Sequence, residues 1–145
     1  MVTGATQLIK RFYHEVWNRA DETVARDILH PEFRFRASLG PERLGPEGFI
    51  AYMRSVHAAL ADYRCEIQEI VASGNEREAA AKMRFVGRHQ APFFGVEATD
   101  QEIEWAGAAF FKTDGERITE LWVLGDINAV KRQLGATAEQ GFESE

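Results

Sequence analysis

The spacing of hydrophobic residues changes partway along this chain, from a helical period in the first part to alternation in the second. Leu8, Ile9, Phe12, Tyr13, Val16 and Trp17 recur at intervals of three and four, which predicts a strongly amphipathic first helix ending between Asn18 and Asp21. Asp21 can cap a second, shorter helix running to Leu29, with Glu22 favourably placed in its first turn and Pro31 closing it. Phe33 to Ala37 alternates as a short strand. Gly45-Pro46-Glu47 opens a third helix, because a first-turn proline gives up no backbone hydrogen bond. Phe49, Met53, Val56 and Leu60 line one side of that helix.

From Tyr63 onward, long alternating segments are separated by turn residues at Ser73-Gly74-Asn75, over 91–100 and at Thr113-Asp114-Gly115, which predicts antiparallel strands. Met83, Phe85 and Gly87 fall on one side of a strand, with Lys82, Arg84 and Arg88 on the other, so one face is buried and one solvated. His89 is in register with the buried set. In the next strand Ile103, Trp105, Gly107, Ala109 and Phe111 share a face, and the small residues between aromatics mean either a ligand cavity or a bend around Gly107.

The segment from Arg117 to Asp126 reads as a strand ending on a carboxylate, with Glu120, Trp122, Leu124 and Asp126 on one face. An acid beside Trp122 and Leu124 is a candidate for proton transfer, because apolar surroundings disfavour the charged carboxylate. The same side chain is equally placed to cap a helix over Ile127 to Leu134. Beyond Gly135 the segment 136–145 is acidic and short of apolar anchors, and is expected to be a mobile tail after a single domain over 1–135. Helices followed by a meander with one polar face make an α+β arrangement, and a strongly curved sheet covered by helices encloses a cone-shaped interior.

At 145 residues and 45% hydrophobic composition the chain has the material for one full-sized core. No apolar run approaches the roughly 20 residues that span a bilayer. The lone Cys65 has no partner for an internal disulfide and reads as buried filler, and no secretory signal is visible, so a reducing cytoplasm is the expected setting. A net charge of −6 argues against general nucleic-acid binding, which leaves an apolar small molecule or a second copy of the chain as partner. His14, His30 and His57 share no ligand spacing with an acid or thiol, and no metal site is expected. There is no glycine-rich phosphate loop and no nucleophile elbow.

Phe12-Tyr13-His14-Glu15-Val16-Trp17-Asn18-Arg19-Ala20-Asp21, Gly45-Pro46-Glu47-Gly48-Phe49, Gly87-Arg88-His89 with Phe94-Gly95, and Asp114 to Trp122 followed by Asp126 and Gln133-Leu134-Gly135 resemble the SnoaL-like polyketide cyclases of the NTF2-like superfamily. These landmarks run in the family's order over residues 7 to 135. The resemblance implies a cone-shaped α+β barrel with a deep apolar pocket, often dimeric through the outer face of its sheet. It also implies cofactor-free ring closure of an aromatic polyketide ester by intramolecular aldol condensation. The family's acid/base aspartate, at the end of the last strand, matches Asp126, and a histidine in the turn after a long strand matches His89.

The chain also departs from its relatives. Arg36-Ala37-Ser38 stands where many members carry His, Asn or Asp on the first short strand. That strand lacks the aspartate of a ketosteroid isomerase, and Arg84-Phe85-Val86 lacks the Arg-x-Asp arrangement of an epoxide hydrolase. Both of those reactions are disfavoured.

On this reading Asp126 removes and returns protons while His89 holds a carbonyl oxygen or orients the aspartate. Trp17, Phe35, Phe49, Met53, Phe85, Phe94, Trp105 and Trp122 form the apolar walls, although ordinary core packing explains each of them as well. Arg36 and Ser38 form a pair at the pocket mouth able to bind a carboxylate or ester oxygen; a surface ion pair is the other explanation for the arginine. Two alternatives stand beside the enzyme: a non-catalytic binding protein for a hydrophobic small molecule, and a dimerisation domain working through its exposed sheet face.

Overall fold

A computed structural model of the chain describes residues 3–38 and 41–135; the expected tail, 136–145, lies outside them. The first helix is α1, Ala5–Arg11, which continues as a π-helical turn, Phe12–Trp17, closed by the Asn18 N–H donating to the Tyr13 carbonyl. Gly4 offers α1 no side-chain cap. The Glu76 carboxylate, 70 residues away in sequence, instead accepts from the Thr6 N–H at 3.0 Å and the Thr6 hydroxyl at 3.2 Å.

α2, Glu22–Ile28, starts as expected, with the Asp21 carboxylate accepting from the Val24 N–H at 3.1 Å. It runs directly into β1, Leu29–Arg36, so Pro31 lies inside a strand rather than in a loop beyond the helix. The strand tolerates it because the pairing register shifts between Leu29 and Arg34, where a missing N–H breaks no ladder bond. A short β2, Arg43–Leu44, leads into α3, Gly45–Ala59, with proline in its first turn. The long strands are β3, Leu60–Ala72; β4, Glu78–His89; β5, Glu102–Thr113; and β6, Ile118–Gly125. α4, Ile127–Leu134, follows and ends on Gly135 at φ +73°, a left-handed position that glycine takes without strain.

The strands form one six-stranded sheet in the order β2-β1-β6-β5-β4-β3, antiparallel except where β1 runs parallel to β6. Two edges, β2 and β3, remain unpaired among the described residues, so the expected barrel is an open, curved sheet. Register shifts in β3 between Ala61 and Arg64 and between Ile67 and Glu69 supply local bends. The inner face packs against both long helical segments. Leu8, Ile9, Phe12 and Val16 meet Phe49, Ile50, Met53 and Val56 there, over Met83, Ile103, Phe111 and Leu121 of the strands.

Alternation in β4 is as expected for Met83 and Phe85 inside and Lys82 and Arg88 outside, while Val86 on the outer side is nonetheless buried. Outside, Arg84 bridges Glu66 at 2.8 Å and Glu104, tying three strands by charge. The same face carries exposed Val71, Phe110, Trp122 and Leu124. Among the described residues no helix is long and apolar enough to cross a membrane.

Two strand glycines are required by close packing. A methyl group at Gly87 would lie 2.8 Å from the Leu60 Cβ, and one at Gly107 would lie 2.6 Å from the Phe85 ring. The space beside Gly107, read from the sequence as a ligand cavity or a bend of the sheet, is taken by the edge of Phe85. Because the Leu60 Cβ is fixed to the backbone of β3, Gly87→Ala is expected to destabilise the protein by about 1–3 kcal/mol, seen as a lower urea midpoint at unchanged slope.

Candidate functional site

Where the first helix and α3 diverge over the sheet, the core leaves a cavity of about 70 Å³. Phe12, Tyr13 and Trp17 wall it from the first helix, Phe35, Ala37 and Ser38 from β1 and its exit, Tyr52 from α3, and Tyr63, Phe85 and Trp105 from β3, β4 and β5. Phe93 and Phe94 in the turn after β4, Leu121 and Val123 of β6, and Ile127 at the start of α4 complete it. The rings meet one another closely: Trp17 and Tyr63 have centroids 5.3 Å apart, and Phe85 and Trp105 5.5 Å. This space holds a few waters, whereas a drug-sized ligand needs roughly 300 Å³ or more. A polycyclic ligand therefore enters only if aromatic side chains move aside.

Of the expected wall residues, Trp17, Phe35, Phe85, Phe94 and Trp105 line the cavity, as does Ser38, expected at its mouth. Phe49 and Met53 do not: both are buried behind the wall, and the Phe49 ring is held 5.1–5.4 Å from those of Phe12, Phe35 and Trp17. Trp122 is on the opposite side of the sheet. It pairs in register with Phe110 on the exposed face, and the Arg36 guanidinium lies over its ring at 5.6 Å. Arg36 and Ser38 are thus not a pair at one mouth. β1 ends at Arg36 and the chain turns, so Ser38 reaches inward, where its Oγ accepts from the Gly125 N–H at 2.5 Å.

Asp126 is exposed, because the alternating face it shares with Trp122 and Leu124 is the outer one. The apolar surroundings that singled it out are absent. Its Oδ1 accepts from the Ala129 N–H at 3.0 Å and caps α4, and its backbone N–H donates to the Ala106 carbonyl at 2.9 Å. No described residue hydrogen-bonds its Oδ2. The neighbouring residues touch the cavity: Ile127 lines it, and Gly125 abuts Ser38 and Trp105. The carboxylate is thus beside the cavity rim and outside the cavity.

His89 is fully buried, as its register requires, but it is not on the cavity wall. The Thr99 N–H donates to its Nδ1 at 3.2 Å, with Thr99 Oγ1 at 3.0 Å, which puts the ring proton on Nε2. That buried Nε2 has no hydrogen-bond partner among the described residues. The ring of Phe93, a wall residue, lies 6.5 Å from the imidazole.

The polar wall groups are ones that hydrophobic periodicity passes over. Tyr13, Tyr52 and Tyr63 converge on the cavity from the first helix, α3 and β3. Burial pushes the Tyr52 phenol up to about 12 and raises those of Tyr13 and Tyr63 well above their ordinary value. It likewise raises the Cys65 thiol, which is no nucleophile at neutral pH. The available signal was spacing: Tyr52 follows Phe49 by three on the inner side of α3, and Tyr63 and Cys65 share one side of β3. Among the described residues no group of three or more His, Cys, Asp or Glu side chains is placed to hold a metal ion. The cavity thus offers aromatic surface and uncharged hydrogen-bond donors, with a carboxylate near its rim.

A helical cover over an open, curved, mostly antiparallel sheet with a cavity between them is the NTF2-like fold. Within it, a family model for SnoaL-like polyketide cyclases matches residues 7–134, and the chain belongs to that family. Membership supports a function of cyclase or isomerase type. TsrD from Streptomyces laurentii is 26% identical, with 91% of this chain and 95% of that one covered at a TM-score of 0.79. A candidate SnoaL-like polyketide cyclase from Jannaschia sp. CCS1 superposes at a TM-score of 0.83 with 19% identity, covering 94% of each chain. IdmH, a candidate polyketide cyclase from Streptomyces antibioticus, gives 0.77 with 24% identity, covering 91% and 99%. A search of curated proteins finds no match.

The buried phenols and thiol make stability depend on alkaline pH. Each holds its proton more tightly folded than unfolded, so its contribution is fully present below the unfolded value and is lost as pH rises toward the folded one. Stability is therefore expected to fall above about pH 9–10, by roughly 1.4 kcal/mol per pH unit for each such group. Urea midpoints between neutral pH and pH 11 check this, and Tyr63→Phe should flatten the decline.

Proposed function

We propose that this chain is a cofactor-independent enzyme acting on an apolar carbonyl compound, such as a polyketide ester that closes a ring by intramolecular aldol condensation. The observation that carries this reading is an aromatic, uncharged cavity with Asp126 beside its rim, its Oδ2 without a hydrogen-bond partner among the described residues. Ring closure needs a base to take a proton from a carbon flanked by carbonyls, and then an acid to protonate the alkoxide formed when that carbon attacks a second carbonyl. Asp126 takes the first proton and returns it in the second step, so no net charge is left on the protein. The wall of rings holds the two reacting carbons together and so replaces entropy that a free chain must lose. His89 joins the site where a ligand oxygen displaces Phe93 and accepts from its Nε2–H, a buried donor without a partner among the described residues.

A second reading is a binding protein without turnover. It is favoured by the absence of any carboxylate or imidazole from the cavity wall among the described residues and by the use of Asp126 as a helix cap. Either function is compatible with a homodimer through the outer face, where Val71, Phe110, Trp122 and Leu124 are exposed.

Asp126→Asn separates the two readings, because asparagine caps a helix about as well as aspartate and leaves the fold intact. With a panel of aromatic β-keto esters followed by mass spectrometry, turnover is expected to drop about 10²–10⁴-fold with little change in ligand affinity. Wild-type protein that binds members of the panel and converts none of them would establish the carrier reading instead.

A further inference from the structure

The enzyme reading makes no use of the polar atoms that line the cavity itself. Tyr13, Tyr52 and Tyr63 reach it from three different elements, with Cys65 on the same side of β3 as Tyr63. Burial raises the phenols of Tyr13 and Tyr63 and the Cys65 thiol alike, so all three hold their protons at neutral pH. No described residue hydrogen-bonds the Tyr13 hydroxyl, so this donor is unspent. No Lys, Arg, His, Asp or Glu lines the cavity among the described residues. Ser38 accepts from the Gly125 N–H, and the hydroxyls of Tyr13 and Tyr63 are further O–H donors on the wall.

We propose that Tyr13 and Tyr63 form the oxygen-recognising end of the cavity, which selects a planar aromatic ligand presenting an uncharged carbonyl oxygen over the corresponding carboxylate. This rests on the reading of the cavity as a site for a carbonyl compound, and it names the residues that recognise the ligand. A ketone or ester oxygen accepts the phenol hydrogen bonds and costs little to desolvate. A carboxylate entering the same space would lose its hydration and find no cation, the circumstance that also keeps the phenols protonated. The stacked rings of Tyr63 and Trp105, with Trp17 edge-on to Tyr63, account for the preference for a flat ligand.

Acetylnaphthalene, naphthoate and naphthalene test the proposal on the full chain, with quenching of Trp17 and Trp105 fluorescence as the binding readout. The ketone is expected to bind about tenfold more tightly than naphthoate. Tyr13→Phe and Tyr63→Phe, which keep their rings in place, are each expected to weaken ketone binding by about 3–10-fold and leave naphthalene unchanged. The carbonyl stretch of bound ketone should lie at lower frequency in the wild type than in the double variant, a direct sign of the hydrogen bonds. Ketone binding indifferent to both substitutions would overturn the phenol assignment while leaving the cavity reading intact, and naphthoate binding as tightly as the ketone would overturn the selectivity. If none of the three compounds binds the wild type, the cavity reading fails together with this proposal.

Discussion

The packing of Phe49 holds the two halves of the molecule together. Its ring, fully buried on α3, meets Phe12 and Trp17 of the first helix and Phe33 and Phe35 of β1, all at centroid distances of 5.1–6.2 Å. These contacts fix the helices against one another and against the β1 end of the sheet. Losing a ring buried this deeply typically costs about 3–5 kcal/mol, a large share of a small domain's stability. The cavity borders the same packing, since Trp17 and Phe35, whose rings touch Phe49, also line it.

The protein keeps its charges away from that space. Arg84 with Glu66 and Glu104, and Arg88 with Asp100, lie on the outer face, while the inner polar groups are phenols, a thiol, a serine hydroxyl and an indole. Hydrogen bonds to neutral donors keep their strength where water is excluded, and an unpaired charge there would be costly. The interior therefore suits a ligand with flat apolar surface and a few acceptor oxygens. Among the described residues the buried Nε2 of His89 has no hydrogen-bond partner, and it is placed behind the wall at Phe93.

β6 connects the two sides of the sheet. Leu121 and Val123 face the cavity, Trp122 and Leu124 face outward, and Asp126 ends the strand by capping α4. A carboxylate in that position caps the helix with one oxygen, and no described residue hydrogen-bonds the other. Its chemical usefulness then depends on how far a ligand projects from the cavity toward the rim.

The amino-acid sequence by itself determined where most elements begin and that inner and outer faces alternate. Asp21 and Pro46 mark helix starts, Asp114-Gly115 marks a hairpin, and Met83 and Phe85 against Lys82 and Arg88 mark a half-buried strand. Those signals are local, set by backbone geometry and by the period of side chains along one element. Tertiary structure alone decided which face of β6 looks inward, because Leu121 and Val123 are as apolar as Trp122 and Leu124 and a period of two has no preferred parity. It alone also split Arg36 from Ser38, set Phe49 behind the wall rather than in it, and gathered Tyr13, Tyr52 and Tyr63 from distant segments. A site depends on distances between elements, and those are fixed only once the elements have packed together.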